Sequence, residues 1–312
     1  MYNGILVIYK EAGFTSHDVV AKLRGILKQK KIGHTGTLDP DAVGVLPVCL
    51  GSGTKLCDFL TDQDKEYTAV LKLGLTTYTQ DTTGKVLYEC PVKVNEEEIQ
   101  EAIFSFGGCY QQIPPMYSAI KIKGKKLYEI ARAGGEIKRE PRLVEIRELE
   151  ILGVDLPEIC FRIACSKGTY IRTLCHDIGE KLGCGGAMAA LERTRAGAFL
   201  KKDALTLSEV EELERENKIT GVIKSVDTVF SHLRAVVVPD ENLRLVQNGN
   251  RLKVNQTLGI KKFVTDEVVR IYDENGAFYA LYKYRHDELK PEKMFFISVK
   301  RFSKMPSNGS TS

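Results

Sequence analysis

"KIGHTGTLDPDAVGVLPVCLGSGTK", from Lys31 to Lys55, is the stretch on which the reading of the chain turns. Gly33, Gly36, Pro40, Gly44 and Pro47 are spaced so as to prevent a long regular element. Asp39 therefore falls on a constrained loop between Leu38 and Pro40. Such loops hold reactive groups in fixed geometry. An aspartate before proline is equally an ordinary turn residue, and the residues of this stretch leave both readings open. "GSGTK" (Gly51 to Lys55) lacks the G-x-x-x-x-G-K-[ST] spacing of a phosphate loop.

Upstream, Ile5 to Tyr9 read as a short apolar strand. Thr15 or Ser16 then caps a helix with Asp18 in its first turn. Val19, Val20, Leu23, Ile26 and Leu27 recur at helical spacing. The opposite side carries Lys22, Arg24, Lys28, Lys30 and Lys31, with no acid after Asp18. That is either a solvated face or, because the charge has one sign, a surface that meets phosphates. Downstream, "YTAVLKLGL" (Tyr67 to Leu75) and "EICFRIACS" (Glu158 to Ser166) suit strands. "NEEEIQEAIFSF" (Asn95 to Phe106), "TYIRTLCHDIGEKLG" (Thr169 to Gly183) and "TLSEVEELERENK" (Thr206 to Lys218) suit capped helices. From about Leu233 short strands alternate with turn signals, and Asn248-Gly249 and Asn275-Gly276 are read as hairpins.

With 312 residues the chain is long enough for about two domains. Forty-five bases against 41 acids give a net charge of +4, which excludes a polycationic binder and confines any nucleic-acid contact to local patches. No apolar run reaches the roughly 18 residues of a membrane span. Met1 to Lys10 lack the pattern of a secretory signal, so a cytoplasmic protein is expected. The eight cysteines form no C-x-x-C pair and read as buried thiols, and the five histidines show no zinc spacing. No metal and no cofactor are expected.

The quoted stretch resembles the catalytic motif of the bacterial tRNA pseudouridine synthase family that modifies uridine 55 in the T arm. "GHTGTLDP" and "GVLPVCLG" carry the likeness. It continues through "VIYKEAGFTSHDVV" (Val7 to Val20), "DKEYTAVLKLGLTTYTQDTTG" (Asp64 to Gly84), "QIPPMYSAIKIKGKKLYEIARAGG" (Gln112 to Gly135) and "CSKGTYIRTLCHDIGEKLGCGG" (Cys165 to Gly186), in family order. The resemblance implies an α+β pseudouridine synthase fold: a mixed, largely antiparallel central sheet flanked by helices, followed by a small PUA-like β-barrel. The expected division is a catalytic domain over 1–232, with a basic arm at about 115–147, an RNA-binding domain over 233–302 and a disordered tail over 303–312.

The resemblance also implies roles. Asp39 is the nucleophile. His34 lies where the target base is flipped and its space filled. Tyr67 stacks on the flipped uracil and helps remove its C5 proton. Tyr170 and Arg172 line the same pocket, Arg172 pairing with the aspartate, and Leu191, in "AALERT", contacts the base. Taken singly, each has an ordinary structural reading as well. The chemistry is an isomerisation in which the C1′–N1 bond breaks and a C1′–C5 bond forms, so nothing is oxidised and no group is imported. A carboxylate suits an electron-poor sugar carbon, and Arg172 is expected to favour its charged form. A stacked uridine is out of reach of such a pocket until it is flipped.

Between Lys121 and Arg147 nine bases (Lys121, Lys123, Lys125, Lys126, Arg132, Lys138, Arg139, Arg142 and Arg147) face four acids. Gly124, Gly134, Gly135 and Pro141 loosen the stretch, which resembles the family's RNA-closing arm. "YKYR" (Tyr282 to Arg285) and "VKRF" (Val299 to Phe302) mix bases with aromatics, as stacking and phosphate contacts require. The expected partner is the T-arm stem-loop of tRNA, bound by a monomer without obligatory protein partner or membrane. Two other readings are a guide-RNA-dependent, dyskerin-like subunit of an RNA–protein particle and a non-catalytic tRNA-binding or tRNA-folding protein.

Overall fold

The computed structural model describes residues 1–122, 124–259 and 262–295. The chain divides after Ile223 into two compact units, ahead of the boundary expected after residue 232.

The first unit is built on one large sheet. Strand β1 (Gly4–Lys10) leads into helix α1 (Ser16–Ile26). Thr15 and Asp18 exchange side-chain and backbone hydrogen bonds in a capping box that starts the helix. Short β2 (Ile32–His34) and longer β3 (Val43–Leu50) bracket the Asp39 loop. After helix α2 (Cys57–Thr61) comes β4 (Lys65–Leu73), then the small hairpin of β5 (Leu75–Thr77) and β6 (Val86–Glu89). Helix α3 (Glu96–Phe104), capped by Asn95, precedes β7 (Gly108–Gln112). The basic segment folds as β8 (Lys121–Ile122), β9 (Lys125–Lys126) and helix α4 (Leu127–Arg132). Strands β10 (Arg142–Asp155) and β11 (Glu158–Cys165), helix α5 (Ile171–Lys181), β12 (Gly186–Ala196), β13 (Phe199–Leu200) and helix α6 (Leu207–Arg215) complete the unit.

The sheet order is β1-β3-β12-β4-β11-β10-β7, with β2 on β3 and β13 on β12. Only the β3–β12 pairing within it is parallel, at Val43↔Glu192 and Gly44↔Arg193. Helices α3 and α5 pack Ile99, Ile103, Leu174 and Ile178 against Leu71, Ile159, Phe161 and Ile163. Helices α1 and α6 pack Val19, Leu23 and Val210 against Leu6, Ile8, Leu46 and Val48.

Contrary to expectation, the glycines and prolines of the quoted stretch do not exclude a regular element: the eight-residue β3 runs through both Gly44 and Pro47. Gly44 has φ +108, and a Cβ there would lie 2.3 Å from the Arg193 carbonyl oxygen, so this glycine is what lets β12 approach β3. The Pro47 carbonyl accepts from Thr35 N–H, and within a strand the nitrogen of the same residue points to that side. There β3 passes from β12 to β2 as its neighbour, so no ladder bond is lost.

In the second unit, β14 (Arg234–Val237), helix α7 (Asp240–Gln247), β15 (Leu252–Lys253), β16 (Val268–Tyr272), β17 (Phe278–Arg285) and β18 (Glu288–Met294) form a curled half-barrel with sheet order β14-β16-β17-β18-β15. Asn275-Gly276 turns the β16–β17 hairpin as expected. Asn248-Gly249 does not turn a hairpin: Asn248 is the C-cap of α7, and Gly249, at φ +68, ends that helix. Tyr282 of "YKYR" is fully buried, its hydroxyl donating to the Asn250 carbonyl, so it offers no face to RNA. "VKRF", the 303–312 tail and Lys123 lie outside the described residues. No helix among the described residues is long and apolar enough to cross a membrane.

Candidate active site

Asp39 sits on the loop that joins β2 to β3, and four buried side chains pin that loop. The Ser16 hydroxyl accepts from Leu38 N–H at 2.9 Å. Lys10, fully buried at the end of β1, donates to the carbonyls of Pro40 (2.9 Å), Phe14 (2.7 Å) and Glu11 (3.1 Å). These satisfy all three of its protons, and burial pushes its pKa down to about 8. Thr35 donates from its N–H and hydroxyl to the Pro47 carbonyl. Arg193 donates from Nε to the Val45 carbonyl at 2.6 Å and from Nη2 to the Gly36 carbonyl at 3.3 Å. The loop is irregular but held at many points, as a positioned reactive group requires.

Arg172, in the first turn of α5, meets Asp39 with a guanidinium fork: Nε to Oδ2 at 2.9 Å and Nη2 to Oδ1 at 3.4 Å. The same group donates to the Tyr117 carbonyl (2.8 Å) and the Thr79 carbonyl (3.2 Å) and lies 3.5 Å from Asp81 Oδ2. It thus ties together the Asp39 loop, the turn after β5 and the segment before the basic stretch. The Arg172 side chain is 7% exposed, whereas Asp39 keeps 42% of its side chain exposed. Burial raises the Asp39 pKa above its ordinary value; Arg172 and Lys10 oppose that, while Asp81 and Asp41 add to it. Arg172 thus favours the charged form, but crowding of the carboxyl outweighs it.

Tyr67 is buried on β4, between Ile163 of β11 and Arg193 of β12 in register. Residues paired across an antiparallel ladder point to one face, so the fully buried Arg193 guanidinium reaches the Tyr67 hydroxyl. Burial pushes Tyr67 up to about 12 against the pull of Arg193. Leu191 packs with Leu38, Ala42 and Tyr67 in one apolar cluster. Tyr170 ends the wall as the N-cap of α5 and has no capping side chain of its own. Gln112 replaces one: its carboxamide accepts from Tyr170 N–H at 2.8 Å and donates to the Tyr170 carbonyl at 3.0 Å. Helix α5 is seated on β12 by a glycine contact, where a Cβ on Gly179 would lie 2.1 Å from Gly186 N.

His34 stands at the other end of the loop, its ring edge-on to His17 with centroids 5.2 Å apart. Burial holds its imidazole down at about 4, so it is neutral at pH 7. The structure thus brings Asp39, Arg172, Tyr67, Tyr170 and Leu191 close together, with His34 at the start of the same loop. The basic segment has its own small core of Met116, Leu127 and Ala131. Lys121, Lys125, Arg132 and Lys138 are exposed there. Lys126 bonds the Tyr128 hydroxyl, and Arg139 donates to the Pro114 carbonyl. Arg142 and Arg147 belong to β10 of the main sheet, Arg147 pairing with Asp64 and Glu145. Among the described residues no three His, Cys, Asp or Glu side chains gather as metal ligands.

Sequence reasoning missed Arg193, Lys10, Asp81 and Gln112. Lys10, Asp81 and Gln112 lie inside the blocks that carried the resemblance, and Arg193 follows Leu191 in "AALERT"; a lysine directly after the apolar run Ile5 to Tyr9 was the one available signal.

The chain matches the TruB family pseudouridylate synthase N-terminal domain over residues 24–171 and the tRNA pseudouridylate synthase B C-terminal domain over 172–243. It is 50% identical over 313 residues to the tRNA pseudouridine synthase B of Lachnoclostridium phytofermentans, covering 94% of this chain and 99% of that protein. It is 41% identical over 307 residues to the Staphylococcus aureus (strain MSSA476) protein of the same name, covering 95% and 100%. Among solved structures it is similar to a chain of a Cbf5-Nop10-Gar1 complex (TM-score 0.71, 29% identity, 94% of this chain and 85% of that one). It is also similar to a chain of an H/ACA RNP bound to a substrate RNA containing 2′-deoxyuridine (TM-score 0.69, 27% identity, the same coverage).

Proposed function

The chain belongs to the TruB family of tRNA pseudouridine synthases, isomerases acting on tRNA, and from that premise we propose that it converts uridine 55 of the T arm to pseudouridine by base flipping. The observation that carries the finer reading is the forked contact of Arg172 on Asp39, with Tyr67, Tyr170 and Leu191 close by.

Asp39 supplies the carboxylate. Two routes use it: attack on C1′ as the N1 bond breaks, or removal of a sugar proton to give a glycal. In either, uracil rotates in the pocket, C5 bonds to C1′, and the C5 proton leaves while N1 gains one. Arg172 holds both carboxylate oxygens in place, and one side of the carboxylate stays open to the sugar. Tyr67 receives the flipped base on its ring. With a pKa near 12 it is a phenol at rest, and Arg193 at its hydroxyl is the group that assists a transient loss of its proton. Neutral His34, at the loop margin, fills the space that the base leaves. Lys121, Lys125, Lys126, Arg132 and Lys138 of the arm meet phosphates, and the second unit extends the RNA contact.

A stand-alone enzyme is favoured over a guide-dependent subunit. Identity reaches 50% over nearly the full length of a tRNA pseudouridine synthase B, against 27–29% for chains of H/ACA and Cbf5 assemblies. The test is to incubate the purified protein, alone, with a T-arm stem-loop RNA and map pseudouridine. Product at position 55 that disappears with Asp39→Asn is expected; no product without a guide RNA or partner refutes the reading.

A further inference from the structure

The one-signed face of α1 has no part in the site described above, and the structure shows how its far end is built. After α1 the chain turns through Lys28, Gln29, Lys30 and Lys31 and enters β2, which leads to His34. The turn is rigid. Gln29 points inward and is buried, its carboxamide accepting from Tyr2 N–H at 2.7 Å and donating to the carbonyls of Tyr2 (3.0 Å) and Lys31 (3.3 Å). Arg24 reaches down from α1 to the carbonyls of Lys30 (3.1 Å) and Ile32 (3.3 Å). Lys31 also accepts from Gly51 N–H at 2.9 Å. Lys28, Lys30 and Lys31 are left exposed on this frame. Among the described residues none of the three has a carboxylate within ion-pair distance.

Two features separate this turn from an ordinary solvated one. Lys28 occupies the left-handed conformation, φ +47, just past the helix end, where glycine or asparagine is the usual residue. A lysine there works against local backbone preference. Helix α6, packed beside α1, is acidic, but none of its carboxylates, Glu211 included, lies within ion-pair distance of these lysines: Glu209 bonds its own cap, Glu212 pairs with Arg215, Glu214 with Tyr2 and the following Glu216 with Lys218. The lysines thus keep their charge facing outward. Lys31 lies three strand residues from His34, about 10 Å at the rise of an extended chain, and His34 in turn touches His17 at the other end of α1.

We propose that the Lys28–Lys31 turn is a second phosphate clamp on the RNA backbone, separate from the arm and close to the flipped nucleotide. This rests on the reading that the protein binds tRNA and flips a uridine near His34. A rigid frame orders the lysines before the RNA arrives, so less side-chain freedom is lost on contact.

The test compares wild type, Lys28→Gly, and the double variant Lys30→Gln/Lys31→Gln. Binding of a full-length tRNA transcript is measured from 50 to 300 mM salt, with melting temperatures alongside. Each lost phosphate contact removes about 0.7–0.9 from the log–log salt slope. Lys28→Gly should flatten the slope by about that amount while the melting temperature holds or rises, because glycine relieves the positive φ. The double variant, at two exposed positions outside the helix, should flatten it by about twice as much. Unchanged slopes overturn the clamp. So does a Lys28→Gly protein that melts earlier and binds as before, since Lys28 would then serve only the helix end. The underlying reading is checked separately: wild type from the same preparation must form pseudouridine in the transcript. If it does, unchanged slopes count against the clamp alone.

Discussion

Replacing Arg193 with methionine separates two functions that the structure gives to one side chain. Methionine keeps the apolar stem and removes the guanidinium with its charged donors. Arg193 is fully buried, bonds the Val45 and Gly36 carbonyls at 2.6 and 3.3 Å, and reaches the Tyr67 hydroxyl across the β4–β12 ladder. Each carbonyl left buried and unsatisfied costs about 1–3 kcal/mol. Part of that is returned because a charge no longer has to be buried. A stability loss of about 2–4 kcal/mol is therefore expected, read by urea unfolding. Loosening of the Asp39 loop slows the reaction whether or not Tyr67 carries a hydroxyl. Loss of the cation beside the phenol matters only when the hydroxyl is present. Single-turnover rates of wild type, Arg193→Met, Tyr67→Phe and the double variant on T-arm stem-loop RNA form a cycle in which the loop effect cancels. The remaining coupling should be about 0.5–3 kcal/mol, so Arg193→Met should cost about 2- to 100-fold less rate in the Tyr67→Phe background. Free-energy effects that add to within about 0.5 kcal/mol would show that Arg193 does not act through Tyr67.

Asp39→Asn should abolish turnover and keep tRNA binding within a few-fold of wild type; measurable single-turnover product from pure variant counts against its role. Because burial raises the Asp39 pKa and the reaction uses the carboxylate, the rate should fall on the acid side at a higher pH than for an ordinary aspartate. Arg172→Gln, which removes an opposing cation, should move that limb further up in a pH–rate profile. Lys121→Gln, Lys125→Gln and Lys126→Gln together should flatten the salt dependence of binding by about 0.7–0.9 per contact, and an unaltered slope would take the arm off the phosphates. Gln112→Ala removes both bonds to the Tyr170 peptide, so about 1–3 kcal/mol of stability and at least about tenfold in rate should be lost. A variant with wild-type rate would mean that α5 holds Tyr170 and Arg172 without it. Activity should survive EDTA, and loss on chelation with recovery on adding zinc would overturn the cofactor-free isomerisation.

The motif residues were legible because each lies in a short block whose order along the chain is itself a pattern. Asp39, Tyr67, Tyr170 and Arg172 were named from those blocks and Leu191 from "AALERT", and the fold brings them close together. Arg193 was not legible: only the register of β12 on β4 sets it opposite Tyr67, and a shift by one residue would turn it to the other face. The role of Lys10 was not legible, because its three acceptors are backbone carbonyls, which have no signature in sequence. Helix α7 was missed for a different reason. It has eight residues with few apolar ones, and the Asn-Gly that ends it is equally a hairpin signal. The strand through Pro47 was missed because a proline's cost depends on whether a partner stands opposite its nitrogen, which sequence does not tell.

Surface loops ordinarily tolerate changes of length, and this is how most protein families diversify. The Asp39 loop has no such latitude. It leaves the sheet at His34, paired with Val48, and re-enters at Gly44, where backbone contact with Arg193 admits no methyl group. Ser16 and Lys10 fasten its middle. One added or deleted residue would have to be absorbed between fixed points and would carry the carboxylate away from the Arg172 fork. Homologues of this enzyme should therefore vary in length almost anywhere before they vary between residues 34 and 44, and engineering that grafts or lengthens loops should start elsewhere on the molecule.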